Sequence, residues 1–320
     1  MSHSQEPPFA IQVELVEGCN LYCEFCGLRG IREERVKNHK FMSPVIVSEI
    51  VSEIKRLKWT SRIEFAMHGE PTLHPDIVEV IREFRSHLSN PLMITSNAGG
   101  LQNGHRALDL FDAGLDVLAI DAYETVKLAS KFRESLNPAE LLKRHILVYD
   151  YPADAAGNPH RRTKFKRICF LEDISKAAHG THSVLNNHCG AGAPLNDSAA
   201  GRRCAKPFRE LSIRWDGHVA ICCNDWRGVY KIGNVHETPL DEIWNHPRFD
   251  AARRHLYLGE RVFPPCKGCD AISPRVGLLP DKLGKQTMPA PDKKSDLFLK
   301  AALHGDPYTF PVQRPWEKKS

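Results

Sequence analysis

No stretch of the 320-residue chain approaches the ~18 consecutive apolar residues that a membrane-spanning helix needs. The opening MSHSQEPPFA has no basic segment followed by an apolar one, the form of a secretory signal. A soluble, cytoplasmic protein without a membrane partner is expected. Excess charge of one sign is also scarce, since 44 Lys and Arg face 39 Asp and Glu. Residues 271–320 carry nine of the basic and five of the acidic residues, which leaves 35 against 34 over 1–270. So neutral a body excludes a chain-wide attraction to nucleic acid and leaves only local basic patches for phosphate. A composition of 42% hydrophobic and 26% charged residues excludes wholesale disorder. Cysteine, by contrast, is plentiful at ten residues. In a reducing compartment such a number points to metal binding or catalysis rather than to disulfides.

Strand-like runs at 9–16, 62–67, 91–96, 115–121, 145–150 and 166–172 alternate with amphipathic helical segments. This alternation predicts an α/β fold, a partial (β/α)6 TIM-like barrel. Ser43 and Pro44 read as N-cap and first residue of a helix whose inward stripe is Val47, Ile50, Val51, Ile54 and Leu57. Pro75 opens another with Ile77, Val80, Ile81, Phe84 and Leu88 inward, and Asn137 and Pro138 open a further one. After residue 173 the pattern changes to a Gly-, Asn- and Ala-rich connection over 180–203. FRELSIRW and HVAICCN then flank Asp216 and Gly217, a pair suited to a hairpin turn, and two short helices precede CKGC at 266–269. The expected organisation is a barrel core over 1–175, a small β-hairpin plus helix module over 176–275, and a basic, Pro-rich, mostly irregular tail over 276–320.

Cys19, Cys23 and Cys26 lie in the loop after the first strand, at the barrel rim where such folds place their chemistry. Three thiolates so closely spaced can hold a [4Fe-4S] cluster and leave its fourth iron open. The alternative is a zinc site shared with Cys266 and Cys269, although zinc ribbons keep their two CxxC halves within ~15 to 20 residues and the gap here is far larger.

The CxxxCxxC of Cys19, Cys23 and Cys26, with Phe25 before the last cysteine, resembles the radical S-adenosylmethionine (SAM) enzymes. MHGEPTLHPDI at 67–77 resembles that family's GGEP segment, with His68 in place of the first glycine, and ITSN at 94–97 resembles its ribose-contacting strand end. LAIDAYE at 118–124 resembles the strand that usually reads SIDG, from which Ala122 and Tyr123 depart. The resemblance implies SAM on the open iron, the methionine amino group at Gly69 and Glu70, and contacts from Ser96 and Asn97. It also implies reductive cleavage of SAM to a 5'-deoxyadenosyl radical, which abstracts a hydrogen atom from the substrate.

The run from CAKPFRELSIRWDGHVAICCND to PPCKGCD resembles the SPASM and twitch extension of the same family. That implies an auxiliary [4Fe-4S] cluster on Cys204, Cys222, Cys266 and Cys269. Cys223 competes with Cys222, but adjacent strand residues face opposite sides, and Cys222 is preferred. Cys169 reads as a buried strand residue, and Cys189, in LNNHCGAG, as a candidate substrate neighbour. Trp215 and Trp244 read as core.

Asp121, Tyr123, Glu124 and His188 are candidate catalytic residues, with Asp150, Glu172 and Asp173 near similar strand ends or in the connection. HRRTKFKR at 160–167, beside Tyr149 and Tyr151, is either a solvated loop or a site for a phosphorylated substrate. The expected function is radical SAM chemistry on a small sugar-like or nucleotide-derived molecule, with electrons from a flavodoxin- or ferredoxin-like donor. Peptide or protein modification is the rival, against which stands the shortness of the 18 residues before Cys19; nucleic-acid base modification is weaker still. The non-enzyme alternative is a zinc-stapled binding protein.

Overall fold

A computed structural model describes residues 7–23, 25–28, 39–101, 104–121, 127–151, 153, 159, 165–171, 187–192 and 201–271. Each of the six expected strand runs forms a strand. β1 (Ala10–Val13), β4 (Arg62–Phe65), β5 (Leu92–Ser96) and β6 (Val117–Asp121) pair in parallel in chain order. β7 (Ile146–Tyr151) and β8 (Lys166–Leu171) complete the parallel set in reversed order, with β8 between β6 and β7. Burial accounts for the reversal. A strand covered on both faces needs a continuous apolar run, and β8 supplies one in Ile168, Cys169 and Phe170. β7 leaves Leu147 and Val148 more than a third exposed and takes the edge.

The helices form as their caps dictate. In α1 (Pro44–Leu57) Ser43 Oγ accepts from Ile46 N at 3.3 Å, and Ile46, Val47, Ile50, Val51 and Ile54 are buried. α2 (Ile77–His87) buries Ile77, Val80, Ile81 and Phe84, and the Phe84 ring meets that of Phe65 in β4 edge-on at 5.0 Å. α3 (Gly104–Asp112), α4 (Leu128–Ser135) and α5 (Pro138–Lys143) continue the layer, the last capped by Asn137. A separate pair, β2 (Val16–Glu17) and β3 (Lys40–Phe41), braces the first cysteine loop.

β9 (Glu210–Ile213) pairs in parallel with the free side of β1, and β10 (His218–Ala220) and β11 (Lys231–Asn234) follow antiparallel. The expected hairpin therefore extends the barrel's own sheet. Gly217 closes its turn at φ 80°, a left-handed conformation that a side chain resists. Three helices, α6 (Lys206–Arg209), α7 (Leu240–Trp244) and α8 (Pro247–Leu258), pack around the guanidinium of Arg253. That buried group donates to Pro207 O and Trp244 O at 2.8 Å each and to Asp250 at 2.9 Å, and it lies over the Trp244 and Phe249 rings. Trp244 is thus core, as expected. Among the described residues no helix is long and apolar enough to cross a membrane. Residues 272–320, and with them the expected tail, lie outside the described residues.

Phe84→Ala is expected to cost about 3–5 kcal/mol, because it removes a fully buried ring. Leu142→Ala, at a position 76% exposed, should stay within about 0.5 kcal/mol. Urea unfolding of the two variants beside the wild type checks both.

Candidate active site and cysteine clusters

The loop after β1 carries Cys19, Cys23 and Cys26, whose thiols border one cavity of about 190 Å³. Phe25, Gly69, Glu70, Ser96, Asn97, Asp121 and His188 border the same space. Residues far apart in sequence meet here because the C-terminal ends of parallel strands converge at one rim. Gly69 is required by close approach, since a Cβ there would stand 2.0 Å from Val16 O. Next to it Glu70 N donates to Gly18 O at 2.9 Å and locks the two loops together.

Glu70 is 2% exposed and its carboxylate is heavily used. It accepts from Thr72 N at 2.9 Å, Ser96 Oγ at 2.7 Å and Asn97 N at 2.7 Å, so it joins the ends of β4 and β5. Burial raises its pKa above the usual carboxylate range despite these donors. Asn97 Nδ2 in turn donates to Cys19 Sγ at 3.3 Å and to Asn20 Oδ1 at 3.1 Å, which ties the strand end to the cysteine loop. Burial, followed by the charge of Glu70, pushes the Cys19 thiol up to about 12. Cys26 rises to about 11 through burial, and Cys23 rises through burial and Asp121. A metal centre here must displace the thiol protons.

Behind this cavity lies a chamber of about 290 Å³ within the barrel, and Ala66, Met67, Thr95, His188 and Trp226 border both. Gln12, Glu64, Asn224 and Cys223 add polar groups to those of Thr95 and His188. Gln12 and Glu64 are register partners on β1 and β4, and Gln12 donates to the Glu64 carboxylate. His188 stands where the two spaces meet, its ring 5.0 Å from that of Trp226. Burial, followed by the charge of His68, lowers its pKa to about 4.

His68 does not border the inner chamber. Its Nδ1 is 2.9 Å from Glu14 Oε1, its Nε2 donates to Cys223 O at 2.8 Å, and its ring lies 4.6 Å from Trp226. Glu14, with no exposed surface, also accepts from Trp215 N and pairs with Arg214 at 3.3 Å each. Trp215 itself donates Nε1 to Glu17 at 3.0 Å and packs under Lys40.

The second set of thiols gathers around the CKGC turn. Cys204, Cys222 and Cys266 are buried and Cys269 partly so. Burial, followed by the neighbouring Cys222, Cys204 and Cys269, raises the Cys266 thiol well above its ordinary pKa. Cys223 turns away, with its sulfur 3.1 Å from Lys206 Nζ, which also pairs with Glu210 at 3.2 Å. Cys189, expected beside a substrate, follows Asn187, whose Nδ2 donates to Gly268 O at 2.7 Å and sets the segment against the CKGC turn. Among the described residues no three His, Cys, Asp or Glu side chains converge on a point fit for a single ion. The three thiols of the first set border a cavity instead.

Several expected residues lie elsewhere. Asp150 is an exposed partner of Arg133 on the edge strand. Of the basic run, Lys166 donates to Phe111 O at 2.6 Å and Arg167 is buried, while 160–164 fall outside the described residues. Tyr123, Glu124, Glu172 and Asp173 also fall outside them. Cys169 is buried beside Met93 and Val117, as expected of a strand residue. Gln12, Glu14, Glu64, Asn224 and Trp226 were not singled out from the sequence. For the first three the available signal was a polar residue inside an otherwise apolar strand.

Glu14→Ala leaves the buried His68 without its carboxylate and Arg214 with Glu17 alone, and is expected to destabilise the protein by about 3–5 kcal/mol, measured by chemical denaturation. Gly69→Ala must shift the cysteine loop. Its iron content after reconstitution should fall by about half if only the first thiol set is disturbed.

Residues 13–138 match the family described as the Radical SAM superfamily, and residues 204–270 match SPASM, an iron-sulfur cluster-binding domain. The S-adenosyl-L-methionine-dependent 2-deoxy-scyllo-inosamine dehydrogenase of Niallia circulans is 22% identical over 264 residues, covering 82% of this chain and 93% of that protein. A tungsten-containing aldehyde ferredoxin oxidoreductase cofactor-modifying protein of Pyrococcus furiosus is 22% identical over 315 residues, 81% of this chain and 86% of its own. The crystal structure of BtrN in complex with AdoMet and 2-DOIA shares the fold, with a TM-score of 0.65 at 20% identity, over 84% of this chain and 95% of that one. With both domains found in one chain, this protein belongs to the radical SAM superfamily and carries a SPASM auxiliary-cluster domain.

Proposed function

We propose that the protein is a radical SAM oxidoreductase acting on a small hydroxylated, sugar-like molecule. The observation that carries this reading is the wall shared by the thiol-bordered cavity and the polar inner chamber. Cys19, Cys23 and Cys26 would hold a [4Fe-4S] cluster, and Phe25, Gly69, Glu70, Ser96 and Asn97 around the same space would bind SAM. Together these groups supply, when bound and reduced, a 5'-deoxyadenosyl radical. The chain's part is placement: Glu70 holds Ser96 and Asn97 in position, and Asn97 holds the cysteine loop.

The chamber is where a substrate would lie, with Gln12, Glu64 and Asn224 as hydrogen-bonding groups for hydroxyl or amino substituents. His188, low in pKa and at the junction, is placed to accept a proton from a substrate hydroxyl, and Asp121 borders the same cavity. Cys204, Cys222, Cys266 and Cys269 would hold an auxiliary [4Fe-4S] cluster, which would supply a one-electron acceptor for the substrate oxidation. The barrel over 1–175 and the module over 176–275 thus carry one cluster each. A relative that matches most of this chain is named as a dehydrogenase of 2-deoxy-scyllo-inosamine, and this favours the same class of substrate. A flavodoxin- or ferredoxin-like donor would supply the initiating electron.

The reconstituted protein, reduced with dithionite under anaerobic conditions, is to be assayed for 5'-deoxyadenosine with SAM and panels of aminocyclitols, sugars, nucleotides and peptides. Stimulation by an aminocyclitol or sugar, with loss of two hydrogens from that compound by mass spectrometry, is expected. Stimulation by peptides alone, or no cleavage by a zinc-loaded protein, contradicts the proposal. Cys222→Ala should lose the auxiliary irons whereas Cys223→Ala should keep them, as read by iron analysis. Asn224→Ala should raise the KM for the stimulating compound about tenfold.

A further inference from the structure

We infer that Gln12 anchors the amino group of a substrate at the floor of the inner chamber, and that Glu64 is the positioning residue that turns the Gln12 amide to do so. The inference rests on the reading of that chamber as the place of the substrate.

The register of the sheet builds the chamber in two layers. Gln12, Glu64 and Met93 are register partners on β1, β4 and β5 and form its floor. Nearer the C-terminal ends of the strands stand Ala66, just past β4, and the register partners Thr95 and Ala119 on β5 and β6. Barrel interiors are usually filled by bulky branched side chains, whereas this upper layer is small and leaves the space open. The two polar floor residues are 8% and 5% exposed, a placement that needs hydrogen bonds to be tolerated.

Those bonds run in one direction. Arg62 lies on the same face of β4 as Glu64, two residues before it, and donates Nε to Glu64 Oε1 at 2.5 Å and Nη2 to the same oxygen. Glu64 Oε2 accepts from Gln12 Nε2. A carboxylate held by a guanidinium offers only acceptors, so the Gln12 amide has to meet it with its NH2 end. The carbonyl oxygen of Gln12 is then the end left to the chamber, and among the described residues no group donates to it. Its amide is polarised by the bond to Glu64, which makes that oxygen the stronger acceptor.

The class of ligand follows from the other walls. None of the described residues bordering the chamber is Lys or Arg, so a phosphate or carboxylate would be buried there without a cation. An ammonium group, a charged donor, suits a polarised carbonyl with a carboxylate behind it. Gln12 and Glu64 border the inner chamber alone, whereas His188 borders both spaces. The anchored amino group therefore lies on the far side of the substrate from the carbon that is oxidised.

The test measures binding without turnover, by calorimetry on the anaerobically reconstituted, unreduced full chain with SAM present. The ligands are 2-deoxy-scyllo-inosamine, its counterpart with a carbonyl in place of the amino group, and myo-inositol 1-phosphate. The wild type should bind the amine about tenfold more tightly than the ketone, and the phosphate most weakly. Gln12→Leu should lower the affinity for the amine about tenfold and leave that for the ketone unchanged. Glu64→Gln can meet Gln12 with either end of its own amide, so amine and ketone should come within about threefold of each other. SAM affinity should match the wild type in both variants, which separates a lost or turned anchor from a disrupted barrel. Arg62→Gln/Glu64→Gln, which removes both charges of the pair, takes the place of Glu64→Gln if that variant does not fold.

An amine affinity that Gln12→Leu leaves unchanged, or a preference for the amine that Glu64→Gln keeps in full, overturns the inference and leaves the proposed substrate standing. Tightest binding of the phosphate, or no binding of any of the three by the wild type, overturns the reading of the chamber and the inference with it.

Discussion

The carboxylate of Glu14, without any solvent contact, is the point on which the architecture turns. It follows β1, the strand flanked in parallel by β4 and β9, and it meets groups from the ends of both neighbours. His68 comes from the end of β4, and Arg214 and Trp215 come from the end of β9. A buried charge is tolerated only when its partners are well placed, so this one carboxylate sets where three strand ends lie. Through the second nitrogen of His68 the constraint passes on to the backbone of Cys223. The loop of the first cysteines and the hairpin of the second set are thereby held in one frame.

A second carboxylate repeats the device one strand further along the rim. Glu70 binds Thr72, Ser96 and Asn97 through its two oxygens, and Asn97 reaches the Cys19 sulfur. Both glutamates hold loops in place through their carboxylates, Glu70 at the cavity wall itself. Such preorganisation matters for radical chemistry, where a reactive centre must meet one C–H bond while water is kept out. The thiols of the first set are held protonated by burial, so cluster loading releases protons and improves as pH rises.

Much of this was legible in the sequence because it is periodic or closely spaced. The six strands follow from apolar runs, and α1 from Ser43 and its stripe. The three cysteines within eight residues and the CKGC turn declare themselves by spacing. The preference for Cys222 over Cys223 assumed a strand through both, whereas β10 ends at Ala220 and the two cysteines lie in the turn beyond it, with the Cys223 sulfur beside Lys206. What escaped depends on tertiary contact. The reversed order of β7 and β8 is a matter of which strand is better covered, and Leu147 and Val148 look as apolar in sequence as Ile168. Cys189 stands fifteen residues before Cys204 with no spacing rule to join it to the others. Its place follows from the clamp of Asn187 onto Asp270, more than 80 residues away.

The central claim is that two separate thiol sets hold two four-iron clusters. The most direct measurement is the iron, sulfide and zinc content of the anaerobically reconstituted wild type beside its Cys19→Ala/Cys23→Ala/Cys26→Ala variant. The account predicts about eight irons per chain in the first and about four in the second, with zinc absent. Stoichiometric zinc in the wild type, or an iron count that the three substitutions leave unchanged, would contradict it.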